Sequence, residues 1–465
     1  MGVAESWRRS AVELSAAYRR RELSPSEVLE SHLERIEAAN PQVNAFVALR
    51  REQARQEALA SDERFRIGAP LSSLDGVPIA VKDNITTADL PTTWGTPAGR
   101  NRIFGQDELA VASACRAGAI VLGKTNVPEF TLEGYTSNPV FGTTRNPWDL
   151  RLTPGGSSGG SVAAVAAGMV PLSLVTDGGG STRRPASHTG LVGYKPSIGA
   201  IARDAGLPPL LLDFEVIGTI GRNLADVRLL FDTVRGPHRA DRRSDAASVR
   251  KPLPSHLRVL YVPAIDGAPV DPQVAASCRD AADRLANLGH DVRHGALPLD
   301  LDLFTEGWAR IGQIGLAWLF EHHPAWRDGA SEKYLEMAEL GARLPAAALW
   351  QILEKVEHLR RQASGMFAQV DLVVMPSAAA LPWAADEPYP TSIAGLPVGP
   401  RGHAVFTGWV NAAGLPGLAL PCAPSAEGLP IGIQLISDYG TDEALLDAAV
   451  AMEAAVSPAW RWPMP

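Results

Sequence analysis

The stretch Thr153–Ala186, TPGGSSGGSVAAVAAGMVPLSLVTDGGGSTRRPA, holds two glycine-packed serine loops, GGSSGG and DGGGS, joined by a segment of small apolar residues. Glycines beside a serine let the backbone approach a substrate closely and turn its N–H groups inward. Ala and Val dominate the joint, which predicts a buried helix stopped before Pro171. VPLSLV predicts a short buried strand leading into the second loop. One helix–strand excursion therefore returns Ser157 and Ser181 to the same place.

Working outward from that excursion, LDGVPIAVKDNI (Leu74 to Ile85) ends an apolar strand on Lys82. Two readings stand at this point: a solvated strand-end lysine, or a lysine kept neutral by burial and able to act as a base. GAIVLGKT (Gly118 to Thr125) matches the phosphate-loop pattern letter for letter. Its four intervening residues are Ala, Ile, Val and Leu, which form a buried strand rather than a loop cradling phosphate, so a nucleotide binder is the lesser reading. Gly155–Gly159 satisfies G-x-S-x-G, but TPGG before it is loop where a nucleophile elbow needs a strand. His290, His294 and His403 come later in the chain and nothing in their context marks them. His188 and Asp177 flank Ser181 and raise a Ser-His-Asp arrangement, against a loop histidine bonded to backbone.

LSPSEVLESHLERIEAANP carries an N-cap at Ser24, Pro25 in the first turn and Glu27 to close a capping box, with a stop expected at Asn40–Pro41. NAFVALRREQARQEALASDERF reads as a short apolar run followed by an amphipathic helix. Residues 301–369 are expected to be mainly helical, with Trp308, Trp318, Trp326 and Trp350 as core or pocket wall. DLVVMPSAA, GLPGLALPC and GLPIGIQLIS supply further buried strands.

Composition restricts the classes. The 465 residues are 46% hydrophobic and 20% charged, a globular profile, and the net charge of −8 argues against a general nucleic-acid binder. Three dispersed cysteines without a C-x-x-C pair suggest neither a zinc ribbon nor a redox pair, and fit a reducing compartment. His322–His323 has no partner at metal-ligand spacing. The first residues lack a signal-peptide core, and the joint after Gly160 is interrupted by Gly168 and Pro171, so no membrane span is expected. These readings predict a cytoplasmic protein.

Taken together, LDGVPIAVKDNI, PGGSSGGSVAAVAAG, TDGGGSTRRPA and NAAGLPGLALPCAPSAEGLPIGIQLI resemble, in order and over nearly the whole length, the motifs of the amidase signature family of hydrolases. The resemblance implies one large α/β domain over residues 1–465, a mixed central β-sheet flanked by helices on both faces. Its parts would be N-terminal helices (1–70), core motifs (71–235), a variable α/β and helical insert (236–370) and C-terminal strands and helix (371–465). It implies Ser181 as nucleophile, Ser157, after a cis peptide from Gly156, as bridging serine, and Lys82 as base. The N–H groups of Gly178, Gly179, Gly180 and Ser181 would form the oxyanion hole, with Ser158, Asp177 and Arg183 in support. No metal or organic cofactor is implied. Departures are Gly178 where the family most often has threonine, His188 in place of an apolar residue or cysteine, and Ala200 in a position that is often arginine. The substrate implied is a small aryl or alkyl amide, with no nucleic-acid or membrane partner. A homodimer through the N-terminal helices is possible on this reading, and the alternative is the glutamine-hydrolysing subunit of a tRNA-dependent amidotransferase. That branch carries an asparagine- and arginine-containing stretch which residues 301–369 do not resemble.

Overall fold

Strand alternation sorts the core onto two faces of one sheet. In the strand Pro78–Lys82, Ile79 and Val81 join one apolar cluster while Ala80 joins another. Ile120 and Leu122 likewise separate from Val121. This period of two places Lys82 on the face of Ala80, the face covered by the helix Gly159–Ala166. The computed structural model describes residues 3–247 and 251–463; residues 248–250, within the insert expected over 236–370, lie outside them.

The sheet has eleven strands. In spatial order they are Phe46–Leu49, Ile120–Thr125, Pro78–Lys82, Leu172–Asp177, Val216–Gly221, Val192–Lys195, Gly417–Cys422, Ile431–Ile436, Leu372–Pro376, Arg258–Tyr261 and Asp291–His294. Pro78–Lys82 runs parallel to both neighbours, the middle of the sheet is antiparallel, and the far edge is parallel again. Helices Pro25–Val43 and Gly159–Ala166 pack on one face, and Leu224–Val234, Pro272–Asn287 and Asp442–Val456 on the other. The molecule is a single domain with a large mixed sheet between helical layers.

The central excursion forms as its residues dictate. Gly159–Ala166 is wholly buried, Gly168 takes φ +79° beyond its end, and Leu172–Asp177 follows as a fully buried strand. The phosphate-loop match is the strand Ile120–Thr125. Its Lys124 is buried, donating to Ile85 O and Thr92 Oγ1 and lying 3.8 Å from Asp83.

Two expectations change. The helix from Pro25 runs through Pro41 to Val43. Asn40 terminates it by another route: its Oδ1 accepts the N–H groups of Ala45 and Phe46 (2.8 Å each), and Asn44 closes the turn in the left-handed region. Leu29, Leu33 and Ile36 of this helix are consumed by the chain's own core, so that face is not open to a second copy. Of the four tryptophans, Trp308 and Trp326 are buried, but Trp350 is 72% exposed and Trp318 38%, on outward faces of their helices. Among the described residues no helix is long and apolar enough to cross a membrane, no cluster of metal-ligating side chains occurs, and the three cysteines are free.

Candidate active site

Lys82 and Asp177 stand at the C-terminal ends of two adjacent parallel strands, where an open α/β sheet leaves its crevice. Lys82 is fully buried. Its Nζ lies 2.8 Å from Ser157 Oγ and donates to Thr176 O (3.1 Å) and Thr176 Oγ1 (2.9 Å). Asn84 holds that threonine through an Nδ2 donation of 3.0 Å. Burial lowers the Lys82 pKa to about 7, with Glu215 and Asp177 opposing the shift. The solvated strand-end reading therefore gives way to the neutral, buried one.

Ser157 follows a cis peptide from Gly156. Gly156 is pressed against Tyr135, and a Cβ there would fall 2.4 Å from the Tyr135 carbonyl oxygen. Ser158 donates to Thr176 O (3.3 Å) and so ties the first serine loop to the strand leading to the second. Ser181 opens on a pocket of about 140 Å³ shared with Gly179, Arg184, Trp308, Arg401 and His403. Its hydroxyl makes no hydrogen bond to protein among the described residues. The structure thus joins Lys82 to Ser157 directly and brings Ser181 to the pocket without a direct bond between the two serine hydroxyls; such contacts commonly tighten only when substrate is bound.

The second loop is built around a buried carboxylate. Asp177 Oδ1 accepts from Gly180 N (2.6 Å) and Asn411 Nδ2 (3.0 Å), and Oδ2 from Thr182 N (3.0 Å). Arg183, also fully buried, donates to both oxygens at 3.1 Å and reaches Asn411 Oδ1 and Gln434 Oε1. The Gly180 N–H, one of the donors expected for the oxyanion, is directed at Asp177 Oδ1. The N–H groups of Gly178, Gly179 and Ser181 donate to no protein acceptor among the described residues. Gly180 has φ +113°, and a Cβ on it would lie 2.2 Å from Thr407 Oγ1. Gly180→Ala is accordingly expected to lower unfolding free energy by ~2–3 kcal/mol, read as a shift of the urea midpoint.

The helical insert closes the pocket. Gly179 lies under Trp308, whose Cζ2 a Cβ would meet at 2.9 Å, and Met337 adds to the wall. The sequence did not distinguish Trp308 from the other insert tryptophans. Thr176, Asn411, Gln434 and Arg184 also carried no local signal, although Asn411 opens the C-terminal motif. No Ser-His-Asp arrangement forms: Asp177 pairs with Arg183, while His188, in the helix Arg183–Thr189, has Nε2 3.2 Å from Ala380 O and a pKa lowered by burial to about 4. His403 reaches the pocket wall, whereas His294 ends the outermost strand and His290 lies just before it. A larger cavity of about 580 Å³ near Trp148 and Trp460 is lined by none of Lys82, Ser157 and Ser181.

Against this geometry, residues 27–446 match the family model described as Amidase. The chain is 32% identical over 474 residues to the A subunit of the glutamyl-tRNA(Gln) amidotransferase from Cyanothece sp., covering 94% of this chain and 95% of that one. It is 34% identical to an indoleacetamide hydrolase from Bradyrhizobium diazoefficiens, covering 96% and 86%. A bacterial aryl acylamidase of the amidase signature family superposes with TM-score 0.86 at 27% identity, over 96% of both chains. The shared fold and the full-length match make this chain a member of the amidase family, the amidase signature hydrolases.

Proposed function

We propose that the chain hydrolyses the C–N bond of a small aryl or alkyl amide through an acyl-enzyme, with Ser181 as nucleophile, Ser157 as bridging serine and Lys82 as base. The observation that carries this reading is the 2.8 Å contact between Ser157 and a buried lysine held near pKa 7, beside a serine that opens on a pocket. Neutral Lys82 takes the Ser157 proton as Ser157 takes that of Ser181, and Ser181 Oγ bonds to the amide carbonyl carbon. The N–H groups of Gly178, Gly179 and Ser181 are the donors available to the developing oxyanion, each worth ~3 kcal/mol in comparable sites. As the C–N bond breaks, Ser157 hands its proton to the leaving amine and Lys82 returns one to Ser157. Water then attacks the acyl ester by the same relay and releases the carboxylate and Ser181. Asp177, Arg183 and Ser158 hold the two loops in place. The scheme draws on side chains and backbone alone, and the free cysteines fit a reducing, cytoplasmic setting.

Treatment with a fluorophosphonate followed by peptide mass spectrometry tests the assignment. A single adduct on Ser181, lost in Ser181→Ala, is the expected result; an adduct on Ser157 that survives Ser181→Ala overturns it. A second reading, a glutamine-hydrolysing subunit that works with partners, is favoured by the amidotransferase relatives at 32–34% identity. Turnover of simple amides by the isolated chain separates the two.

A further inference from the structure

Two guanidinium groups flank the Ser181 pocket, and neither has a carboxylate partner among the described residues. They differ in what else holds them. Arg184 is buried and its two Nη groups donate to the carbonyl oxygens of Gly179 (3.1 Å) and Gly156 (3.4 Å) and to Thr407 Oγ1 (3.5 Å), while its Nε has no partner among the described residues. Arg401 is exposed and lines the pocket, and its guanidinium makes no hydrogen bond among the described residues. Its guanidinium carbon sits 5.0 Å from the ring centroid of Trp308, the tryptophan that also covers Gly179.

The remaining wall holds no carboxylate in ion-pair contact with Arg401. The one carboxylate on it, Glu133, forms an ion pair with Lys333 and accepts from Tyr334 Oη. His403 has no hydrogen bond to either ring nitrogen, and burial, then Arg184, push its pKa well below the usual range, so it is neutral. Leu132, Leu211 and Met337 complete an otherwise apolar surface. Desolvation, then the charge of nearby Arg184, lower the Arg401 pKa to about 9 against the opposing charge of Glu133, leaving it charged at neutral pH. The pocket that receives the scissile amide is therefore cationic, and the guanidinium whose Nη groups are free to meet an anion, among the described residues, is the one braced on an aromatic ring. An arginine held in this way presents a planar fork matched to a planar oxyanion.

We propose that Arg401 binds a carboxylate on the substrate, so that the preferred amides carry an acid group in the same molecule as the scissile bond: half-amides of dicarboxylic acids or N-acyl amino acids. This rests on the amide-hydrolysis reading above and narrows its substrate class.

The test is a matched pair of anilides, glutaric acid monoanilide and its methyl ester, assayed with wild type, Arg401→Gln and Arg401→Lys. Wild type is expected to favour the acid in kcat/KM by about 10- to 100-fold, the size of a charge-assisted hydrogen-bonded contact. Arg401→Gln is expected to erase that preference through a raised KM for the acid, and Arg401→Lys to restore part of it. Rising salt is expected to shrink the wild-type preference as it screens the contact. Fluorophosphonate labelling of Ser181 in each variant reports that the site is assembled. A wild type that labels and hydrolyses the ester but shows no preference for the acid overturns this proposal alone, as does a preference that survives Arg401→Gln. Absence of labelling and of turnover on both anilides overturns the hydrolysis reading instead.

Discussion

Replacing Lys82 with methionine is expected to lower amide turnover ~10³–10⁵-fold, the range seen when one member of a nucleophile–base unit is removed. The wild-type dependence on pH is expected to be a rise through about pH 7 to a plateau, because burial lowers the Lys82 pKa to about 7 and only the neutral amine accepts a proton. Lys124 and Lys195 are also buried, with pKa values lowered to about 8 and 7, so the wild-type curve alone does not name the residue. The assignment comes from the variant: residual turnover in Lys82→Met should lose the rise near pH 7. Lys82→Arg is expected to be as inactive as the methionine variant, since a guanidinium stays protonated throughout.

Stability separates this effect from unfolding. A lysine whose folded pKa is depressed binds fewer protons folded than unfolded, so its contribution to stability rises with pH from about 7 to the ordinary lysine value of about 10.4 and is most unfavourable below that window. Methionine removes the buried amine and fills a similar volume. The thermal midpoint of Lys82→Met at pH 7 is therefore expected to equal or exceed that of wild type. A large fall in the midpoint, or full turnover in Lys82→Met, would contradict the role given to this residue.

The parts of this site that the sequence disclosed are those whose chemistry is local. A lysine ending an apolar strand is anomalous whatever follows it, and two glycine–serine loops joined by a buried helix and strand must return close together. The framework that holds them was hidden because its members meet only through the sheet. Gln434, in a strand that shows only apolar alternation, reaches Arg183 across 251 positions of sequence. Thr176 reads as one more strand residue until Lys82 lies against it. Arg401 sits in a loop, PVGPRGHAV, with no pattern at all, and its meaning arises when Trp308 and Ser181 are brought to the same pocket. The helix running through Pro41 shows the converse: proline is a strong local stop, and the side chain of Asn40 still moved the end three residues on.

Asp177→Asn is expected to cost ~3–5 kcal/mol of unfolding free energy, the scale for breaking one side of a buried ion pair. The carboxylate has five donations aimed at it, from Gly180 N, Thr182 N, Arg183 Nε, Arg183 Nη2 and Asn411 Nδ2. An acceptor-only group suits that position; an amide turns one of its own donors toward them and leaves the fully buried Arg183 without its counter-charge. Because the Gly180 and Thr182 amides are pinned from either side of Ser181, turnover is expected to fall with stability. The pH dependence identifies the cause. Burial alone would raise the Asp177 pKa, but the Arg183 charge and hydrogen bonds outweigh it, with Lys195 and Asn411 adding to the effect, and hold it well below the ordinary carboxylate range. A depressed pKa contributes stability that is present in full above the unfolded value of about 3.9 and is lost as pH falls below it. Urea unfolding of wild type and Asp177→Asn should therefore differ by a constant amount from pH 7 down to about 5 and converge below about pH 4. If the gap persists unchanged at pH 3, the loss is one of packing and not of the buried charge. Arg183→Met added to Asp177→Asn removes the orphaned cation and is expected to recover part of the stability without recovering turnover, since the Gly180 amide still lacks its anchor.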